Sequence, residues 1–444
     1  MNFLDNLVLP QSAEHLQLLN YLLALSLLVL IPYLAILLGF SFLSAKFYKM
    51  GVSEKKDDYF KVAKILIDSV TFNKVMVIGF GFIPLVTTGL IIIQVLYLTQ
   101  LHVEIYFYIS LISFLIASIF IYSFKHSLSL YLVTKNISES EINDDNIKIV
   151  KDYSEITKII NYKYPIWSFA FIIVSIYFLM AGLQLASNNA LWNVNPNFIN
   201  VVFSLNTIVY FLSFLALTVL LTYSLFILLL KKNEESITKE FFIAFSKFGL
   251  TGSLISVISY IFFITLKVFF TPLSGLSVDY FLLLIITFLF LAVLAIQIYN
   301  MLKINKLESV NSVLFITILI VLFSVVQNTS AFSVSTNKEI TNISEKYLVY
   351  QDEFKQSLGI ATVVISGEEI YKGKCVACHA YDKKVVGPPY NEVLSKYEGK
   401  LDNLTKFILN PVKINPDYPA MPNQGVKPAE AKAVAEYILS TYKK

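Results

Sequence analysis

The two cysteines of the 444-residue chain lie three positions apart and are followed at once by a histidine. Cys375-Val376-Ala377-Cys378-His379 has the C-x-x-C-H pattern that is typical of covalent haem attachment. Two thiols on one turn reach the two vinyl groups of a haem and form thioethers, and the adjacent imidazole then points at the iron. A structural zinc site is the alternative, but it needs four protein ligands, and residues 366–444 contain no other cysteine or histidine. The motif predicts one covalently bound haem c, with His379 as an axial ligand of the iron.

A sixth ligand for the iron is available in Met421, which lies in the segment Tyr418-Pro419-Ala420-Met421-Pro422 and is the only methionine after Met301. Methionine usually fills irregular gaps in a core, and that role is the alternative. The neighbouring prolines nevertheless make a rigid loop, which suits the presentation of a ligand. Because His/Met ligation raises the reduction potential relative to bis-histidine ligation, we expect a high-potential, low-spin electron carrier.

Residues 366–444 resemble the class I cytochromes c in this motif and in three further features. The resemblance implies that the Pro388 carbonyl, within Gly387-Pro388-Pro389, accepts a hydrogen bond from the proximal histidine and so fixes the ring and its tautomer. It also implies Met421 as the sixth ligand, and an amphipathic helix over 428–442 that packs against the first helix of the domain. The sequence contains no arginine, the usual bidentate partner of carboxylates. Lysine or backbone N–H groups must therefore meet the haem propionates.

Upstream of this unit, eight apolar segments are long enough to cross a hydrocarbon core of about 30 Å. Of all residues 56% are hydrophobic, against about 45–50% in soluble domains. The expected fold class is all-α: an eight-transmembrane-helix bundle with both termini outside, followed by a small all-α class I cytochrome c domain. The expected domains are a membrane bundle at 1–327, an extracytoplasmic linker at 328–365 with one short helix around 344–356, and the cytochrome c domain at 366–444. The apolar segments lie at 18–44, 75–98, 104–124, 165–186, 199–230, 248–270, 278–302 and 309–327.

The distribution of lysine predicts the orientation of the bundle. The loops after the first, third, fifth and seventh segments contain nineteen lysines, whereas the N-terminal tail and the other three loops contain none. Cytoplasmic loops are the lysine-rich ones, so we expect a multi-pass protein of the cell (inner) membrane with its cytochrome domain in the periplasm or extracytoplasmic space. Lys267, near the outer end of the sixth segment, is expected to extend its ammonium group to the interface.

The histidines of the bundle leave open whether it has its own redox site. Haem b needs histidine ligands, usually paired across helices, and residues 1–327 contain only His15, His102 and His126. His15 and His102 are expected at the outer face, where they could hold a haem or a quinone, with Glu14 and Glu104 as proton acceptors. The simpler interpretation is that each is an interfacial histidine with water or a neighbour as its partner.

The second segment is the other candidate, because Gly79, Gly81, Pro84 and Gly89 interrupt its apolar run. Small residues let helices approach closely and proline kinks them. Close packing around a kink is one interpretation, and a cofactor or quinone cleft beside Pro84 is the other.

Taken together, these features predict a membrane-anchored c-type cytochrome that relays single electrons on the outer face of the membrane, as a subunit of a respiratory or photosynthetic electron-transport complex. The expected partners are the membrane, other membrane electron-transport subunits, and a soluble or membrane-bound cytochrome donor or acceptor. The net charge of only +4 gives no reason to expect nucleic acid. The alternative is a quinol-oxidising subunit, a quinol:cytochrome c-type oxidoreductase, whose haem b or quinone site in the bundle feeds the c-haem. No residue is assigned a catalytic role.

Overall fold

The structure is a computed structural model that describes residues 10–99, 101–136, 144–192, 194, 196–272, 275–304, 307–358 and 366–442. The chain divides into two compact units, Met1–Tyr347 and Leu348–Lys444, and each is described by itself. Within the described residues, all regular secondary structure is helical.

Among the described residues, eight helices are long and apolar enough to cross a membrane, which confirms the eight predicted segments. Several exceed the about 20 residues that a crossing requires, so their ends extend beyond the hydrocarbon. Between them lie the amphipathic helix Asp57–Val70 and the short helical turns Asn189–Leu191, Phe198–Val202 and Glu234–Ser236. In chain order, the eight spans are Ala13–Glu54, Lys74–Val95, Glu104–Asn136, Asp144–Ala186, Leu205–Lys232, Lys239–Phe270, Val278–Ile304 and Val310–Ser357.

The first span lies at the centre of the helix packing. It contacts the second, fourth and fifth spans and the amphipathic helix, while the third span packs along the fourth and the sixth packs against the fifth and the seventh. Association of helices in lipid depends on close van der Waals packing and on polar contacts between helices. Gly39 illustrates the first of these, because a Cβ there would overlap the side chain of Thr222 in the fifth span.

The second span is not one regular helix. Its first part, Lys74–Met76, is followed by the π-helical turn Val77–Phe82 and then by the α-helix Ile83–Val95. Pro84 lies just after the π-helical turn, and a proline inside a span has no backbone N–H to donate to the preceding turn. A Cβ at Gly81 would overlap the ring of Phe114 in the third span. These contacts favour close packing at this part of the second span.

The eighth span is joined to its neighbours by polar side chains. Thr317 Oγ1 donates to Ser224 Oγ of the fifth span at 3.1 Å, and the Tyr260 hydroxyl of the sixth span lies 2.6 Å from Ser324 Oγ. In membranes such bonds contribute on average about 0.6 kcal/mol each. The span continues as one helix to Ser357, through residues for which the sequence predicted a linker with one short helix. The polar run 328–357 contains no glycine or proline that would end a helix.

The second unit contains four short helices, Gly367–Lys374, Tyr390–Val393, Leu401–Leu409 and Pro428–Thr441, with a 3₁₀ turn at Leu394–Tyr397. The last of them corresponds to the helix expected over 428–442. The hydroxyl of Ser366 caps the first helix by accepting from the backbone N–H of Glu369 at 3.2 Å.

The first and last helices of this unit cross at Gly367, where a Cβ would overlap the carbonyl of Ala433. Beneath the crossing, Val434 and Ile438 of the last helix are buried in the core of the unit. The packing of the two terminal helices that the resemblance implied is therefore present.

Candidate haem site

The cysteine motif continues the first helix of the cytochrome unit by one turn. The N–H of Cys375 donates to the carbonyl of Tyr371 at 2.9 Å, and the N–H groups of Cys378 and His379 donate to the carbonyl of Cys375 at 3.1 and 3.0 Å. These bonds place the two thiols and the imidazole on one turn of backbone. Both thiols are free and partly exposed, so they are available for thioether bonds.

The loop after the motif folds back onto it. The N–H groups of Val386 and Gly387 both donate to the carbonyl of Cys378, at 3.2 and 2.8 Å. A Cβ at Gly387 would overlap the ring of His379. Only a glycine can bring this backbone so close to the imidazole.

The ring of His379 is held on one edge and one face. Its Nδ1 lies 3.1 Å from the carbonyl oxygen of Pro388, and since a carbonyl can only accept, Nδ1 carries the proton. Nε2 of the neutral ring then has its lone pair free for a metal. The ring also stacks on Tyr390, with centroids 5.2 Å apart and planes 13° apart. The resemblance implied that the Pro388 carbonyl accepts a hydrogen bond from this histidine, and the structure has that contact.

Met421 lies in a loop that is fastened on both sides. Before it, Lys384 Nζ lies 4.4 Å from the ring centroid of Tyr418. After it, Asn423 Nδ2 donates to the carbonyl of Leu409 at 3.1 Å. These contacts hold the methionine loop against the body of the unit from both ends.

The predicted site residues line one pocket of about 1480 Å³, its opening to solvent included. Ligand pockets are commonly about 300–1,000 Å³ and mostly apolar. Apolar side chains make up most of the remaining wall, and lysines also reach it, as expected for a haem site without arginine. The predicted site residues in the lining are Cys375, Cys378, His379, Pro388 and Met421; apolar neighbours include Leu394, Leu404, Phe407 and Ile408; the lysines are Lys374, Lys396 and Lys413.

The residues present fit a covalently attached haem. The donor set is two thiols, one imidazole with its proton fixed on Nδ1, and one thioether, all in a largely apolar pocket. Burial raises the pKa of the Cys375 thiol, although the nearby Lys374 opposes the change. Burial also raises the pKa of the Tyr390 hydroxyl, so this residue stays neutral and its ring acts as an apolar support for His379.

The histidines of the bundle are not brought together in a buried site within the described residues. His15, His102 and His126 are all exposed. His102 Nδ1 lies 3.0 Å from Glu104 Oε1, and 67% of the His102 side chain is exposed. This pair is the kind of interfacial contact that the simpler interpretation expected.

Lys267 is the bundle residue whose environment the sequence did not indicate. The side chain does not extend to the interface as expected, because Lys267 is only 9% exposed. Its Nζ donates a hydrogen bond to Asn328 Oδ1 of the eighth span. The same Nζ lies 4.3 Å from the ring centroid of Tyr210 in the fifth span. The sequence could indicate this buried site only by the presence of a lysine inside an apolar segment. The contacts of Lys267 were not predictable, because Asn328 and Tyr210 lie on other spans.

Comparison with known proteins identifies the second unit. The cytochrome c family model matches residues 364–442. The chain is 43% identical over 79 residues to cytochrome c-551 of Pseudomonas denitrificans, which covers 96% of that protein and 17% of this chain. It is 37% identical over 89 residues to cytochrome c-552 of Hydrogenobacter thermophilus, which covers 89% of that protein and 19% of this chain. Through these C-terminal residues, the chain belongs to the cytochrome c family.

Proposed function

We propose that the protein is a membrane-anchored c-type cytochrome that relays single electrons on the outer face of the membrane, within a respiratory or photosynthetic electron-transport complex. The observation that carries the proposal is the fixed tautomer of His379, whose Nδ1 is engaged by Pro388 in a pocket that also holds both thiols and Met421. Haem iron, once bound, alternates between two oxidation states and so carries one electron at a time.

The chain's own residues have separate tasks in this proposal. Cys375 and Cys378 attach the haem covalently, which prevents its loss to the membrane. His379 and Met421 would hold the haem iron, and Pro388 holds the imidazole in position. The apolar wall excludes water and so favours the less charged ferrous state, in the same direction as the thioether ligand.

The outer location is supported by the lysines. Nineteen of them lie between the apolar segments of the sequence, in the stretches after the odd-numbered segments, and none lies in the intervening stretches or the N-terminal tail; cytoplasmic loops are lysine-rich. An even number of spans brings both ends of the bundle to the same side of the membrane. The cytochrome unit would then lie in the periplasm or extracytoplasmic space, where electron-transport partners can reach it.

A haem count and a redox titration of the purified full-length chain test the proposal. We expect one covalently bound c-type haem per chain in the pyridine haemochrome spectrum, and a single one-electron transition at a potential typical of His/Met ligation. Absence of covalent haem would overturn the proposal.

The alternative function, a quinol-oxidising subunit with a redox site in the bundle, gains no support from the exposed His15 and His102. It is supported instead by a different feature, a largely apolar pocket in the bundle whose wall includes the buried Lys267. Reduction of the c-haem by quinol in the purified chain would favour this alternative over simple relay of electrons between proteins.

A further inference from the structure

The membrane bundle encloses a pocket that is separate from the haem site. Its volume is about 930 Å³, its opening included. Six of the eight spans contribute to its wall: the first, second, fourth, fifth, sixth and eighth. One lining residue from each, in that order, is Leu23, Ile92, Met180, Tyr210, Lys267 and Asn328.

The pocket lies in one half of the membrane. Ile92, Met180 and Lys267 are near the ends of spans that run in one direction, and Tyr210 is near the start of a span that runs in the other. Because successive spans alternate in direction, these positions belong to the same half. It is the half in which the chain leaves the eighth span towards the cytochrome unit.

Lys267 gives the pocket a positive group without a negative partner. No carboxylate of the described residues forms an ion pair with it, and the one hydrogen-bond acceptor that the described structure gives its Nζ is the Asn328 amide oxygen. An ammonium group has three donors, and ionisable groups inside membranes are costly and mark ligand sites. The remaining donors can therefore serve an acceptor oxygen on a ligand.

Further polar groups continue from Lys267 into the membrane. Tyr260 and Ser324, whose hydroxyl oxygens lie 2.6 Å apart, also line the pocket. Tyr260 is ten residues before the end of the sixth span at Phe270, so at about 1.5 Å per residue it lies roughly 15 Å from that end. A phospholipid headgroup stays at the surface, whereas a neutral ring with polar oxygens can reach this depth.

We propose that this pocket binds the head group of an isoprenoid quinone. Lys267 donates to a carbonyl oxygen of the ring, the hydroxyl pair Tyr260–Ser324 provides the deeper polar contact, and apolar side chains such as Leu23 and Ile92 take the ring face and the tail. We choose a redox-active quinone over a fatty acid as the ligand because of the proposed electron-transfer function. The inference that the pocket binds a ligand does not depend on that function.

Binding is tested on the full-length haem-containing chain in nanodiscs, by calorimetric titration with decylubiquinone. We expect saturable binding at one site, and Lys267→Met to weaken it at least tenfold. Lys247→Met is the control, because Lys247 lies on the same span but is exposed and outside the pocket lining. Ser213→Leu, which adds volume inside the pocket, is a second variant that should weaken binding even if Lys267→Met folds poorly.

Two results would overturn the inference: equal affinity of Lys267→Met and the parent chain for decylubiquinone, or no binding of the quinone to the parent chain, whether or not oleate binds there in a Lys267-dependent way. The haem spectrum and reduction potential are recorded on the same samples. A normal haem with no quinone binding refutes only this inference, whereas bound quinone on a chain without covalent haem refutes only the proposed function.

Discussion

At the scale of single residues, the proposed haem site depends on two side chains that are distant in sequence, His379 and Met421. Both line the same pocket; Pro388 and Tyr390 hold the ring of His379, and contacts of Tyr418 and Asn423 hold the loop of Met421. The C-x-x-C-H motif and the lone methionine made these residues predictable from sequence. The support of the ring by Tyr390 and the contacts on both sides of the methionine loop were not predictable, because they join residues with no shared motif.

Met421→Ala should lower the reduction potential of the haem and remove the absorption band of Met-ligated ferric iron. The thioether favours ferrous iron, so its loss destabilises the reduced state. Redox titration with optical detection measures both effects. Met421→His is the matched control, since it should keep a low-spin spectrum at a lower potential. An unchanged potential in Met421→Ala would contradict the assignment.

Gly387→Ala should displace the His379 ring, because the added Cβ overlaps it, and should weaken the bond to Pro388. Overpacking of this kind costs about 1–3 kcal/mol. We expect a lower yield of haem-loaded protein and a lower unfolding temperature. Gly373→Ala is the control: no atom lies within 4 Å of the Cβ added there, and its helical position should make the change neutral or slightly stabilising. If both variants gave the same yield of haem-loaded protein and the same unfolding temperature, the close approach of Gly387 to the His379 ring would be unimportant.

At the scale of elements, the amphipathic helix Asp57–Val70 is attached to the loop between the fifth and sixth spans. Asp58 accepts from the Thr238 hydroxyl at 2.7 Å and from its N–H at 3.3 Å. Burial by itself would raise the pKa of Asp58, but these hydrogen bonds and Lys61 outweigh it and hold the pKa below its usual value. The carboxylate is therefore stabilised by folding.

Asp58→Ala should destabilise the bundle above about pH 4, the ordinary pKa of an aspartate, by about 1–2 kcal/mol for lost bonds to a charged group. A carboxyl whose folded pKa is lowered contributes stability that is lost as the pH falls through that pKa. The difference between parent and variant should thus shrink at acid pH in thermal unfolding experiments in detergent. Asp57→Ala is the control, because its ion pair with Lys135 is largely exposed and should contribute little. If the difference in stability between the parent chain and Asp58→Ala did not change with pH, this role of the Asp58 carboxylate would be contradicted.

The elements also show where sequence patterns lose their predictive value. Apolar length was sufficient to find the eight spans seen in the described part of the chain, and the resemblance to class I cytochromes c gave the amphipathic last helix, whose Val434 and Ile438 are buried. The π-helical turn Val77–Phe82 was not predictable, because the glycines and the proline of this segment indicated a kink without specifying its hydrogen-bond pattern. The helical continuation after residue 327 was also missed, since the polar composition there indicated a linker although no residue ends the helix.

At the scale of the whole molecule, the orientation in the membrane is the main expectation to be tested. Trypsin cleaves at lysine, which is abundant both in the cytochrome unit and in the loops that follow the odd-numbered apolar segments of the sequence. In right-side-out vesicles, trypsin should release a haem-containing fragment and leave those loops intact. In inside-out vesicles, it should cleave the loops and leave the haem fragment protected. Haem-stained gels and mass spectrometry of the fragments measure the result, and the reverse pattern would refute the orientation.

The pocket built from six of the eight spans has a consequence for how this chain can evolve. A single apolar helix could tether the same cytochrome, whereas the wall of that pocket comes from six spans. Exchange of the bundle for one anchoring helix should leave the haem's spectrum and potential unchanged while removing quinone binding. With the proposed quinone in the pocket, natural selection acts on the interior of the bundle as well as on its lipid-facing surface. Gene fusions that simplify the anchor would then keep the electron carrier but abolish its access to the quinone pool.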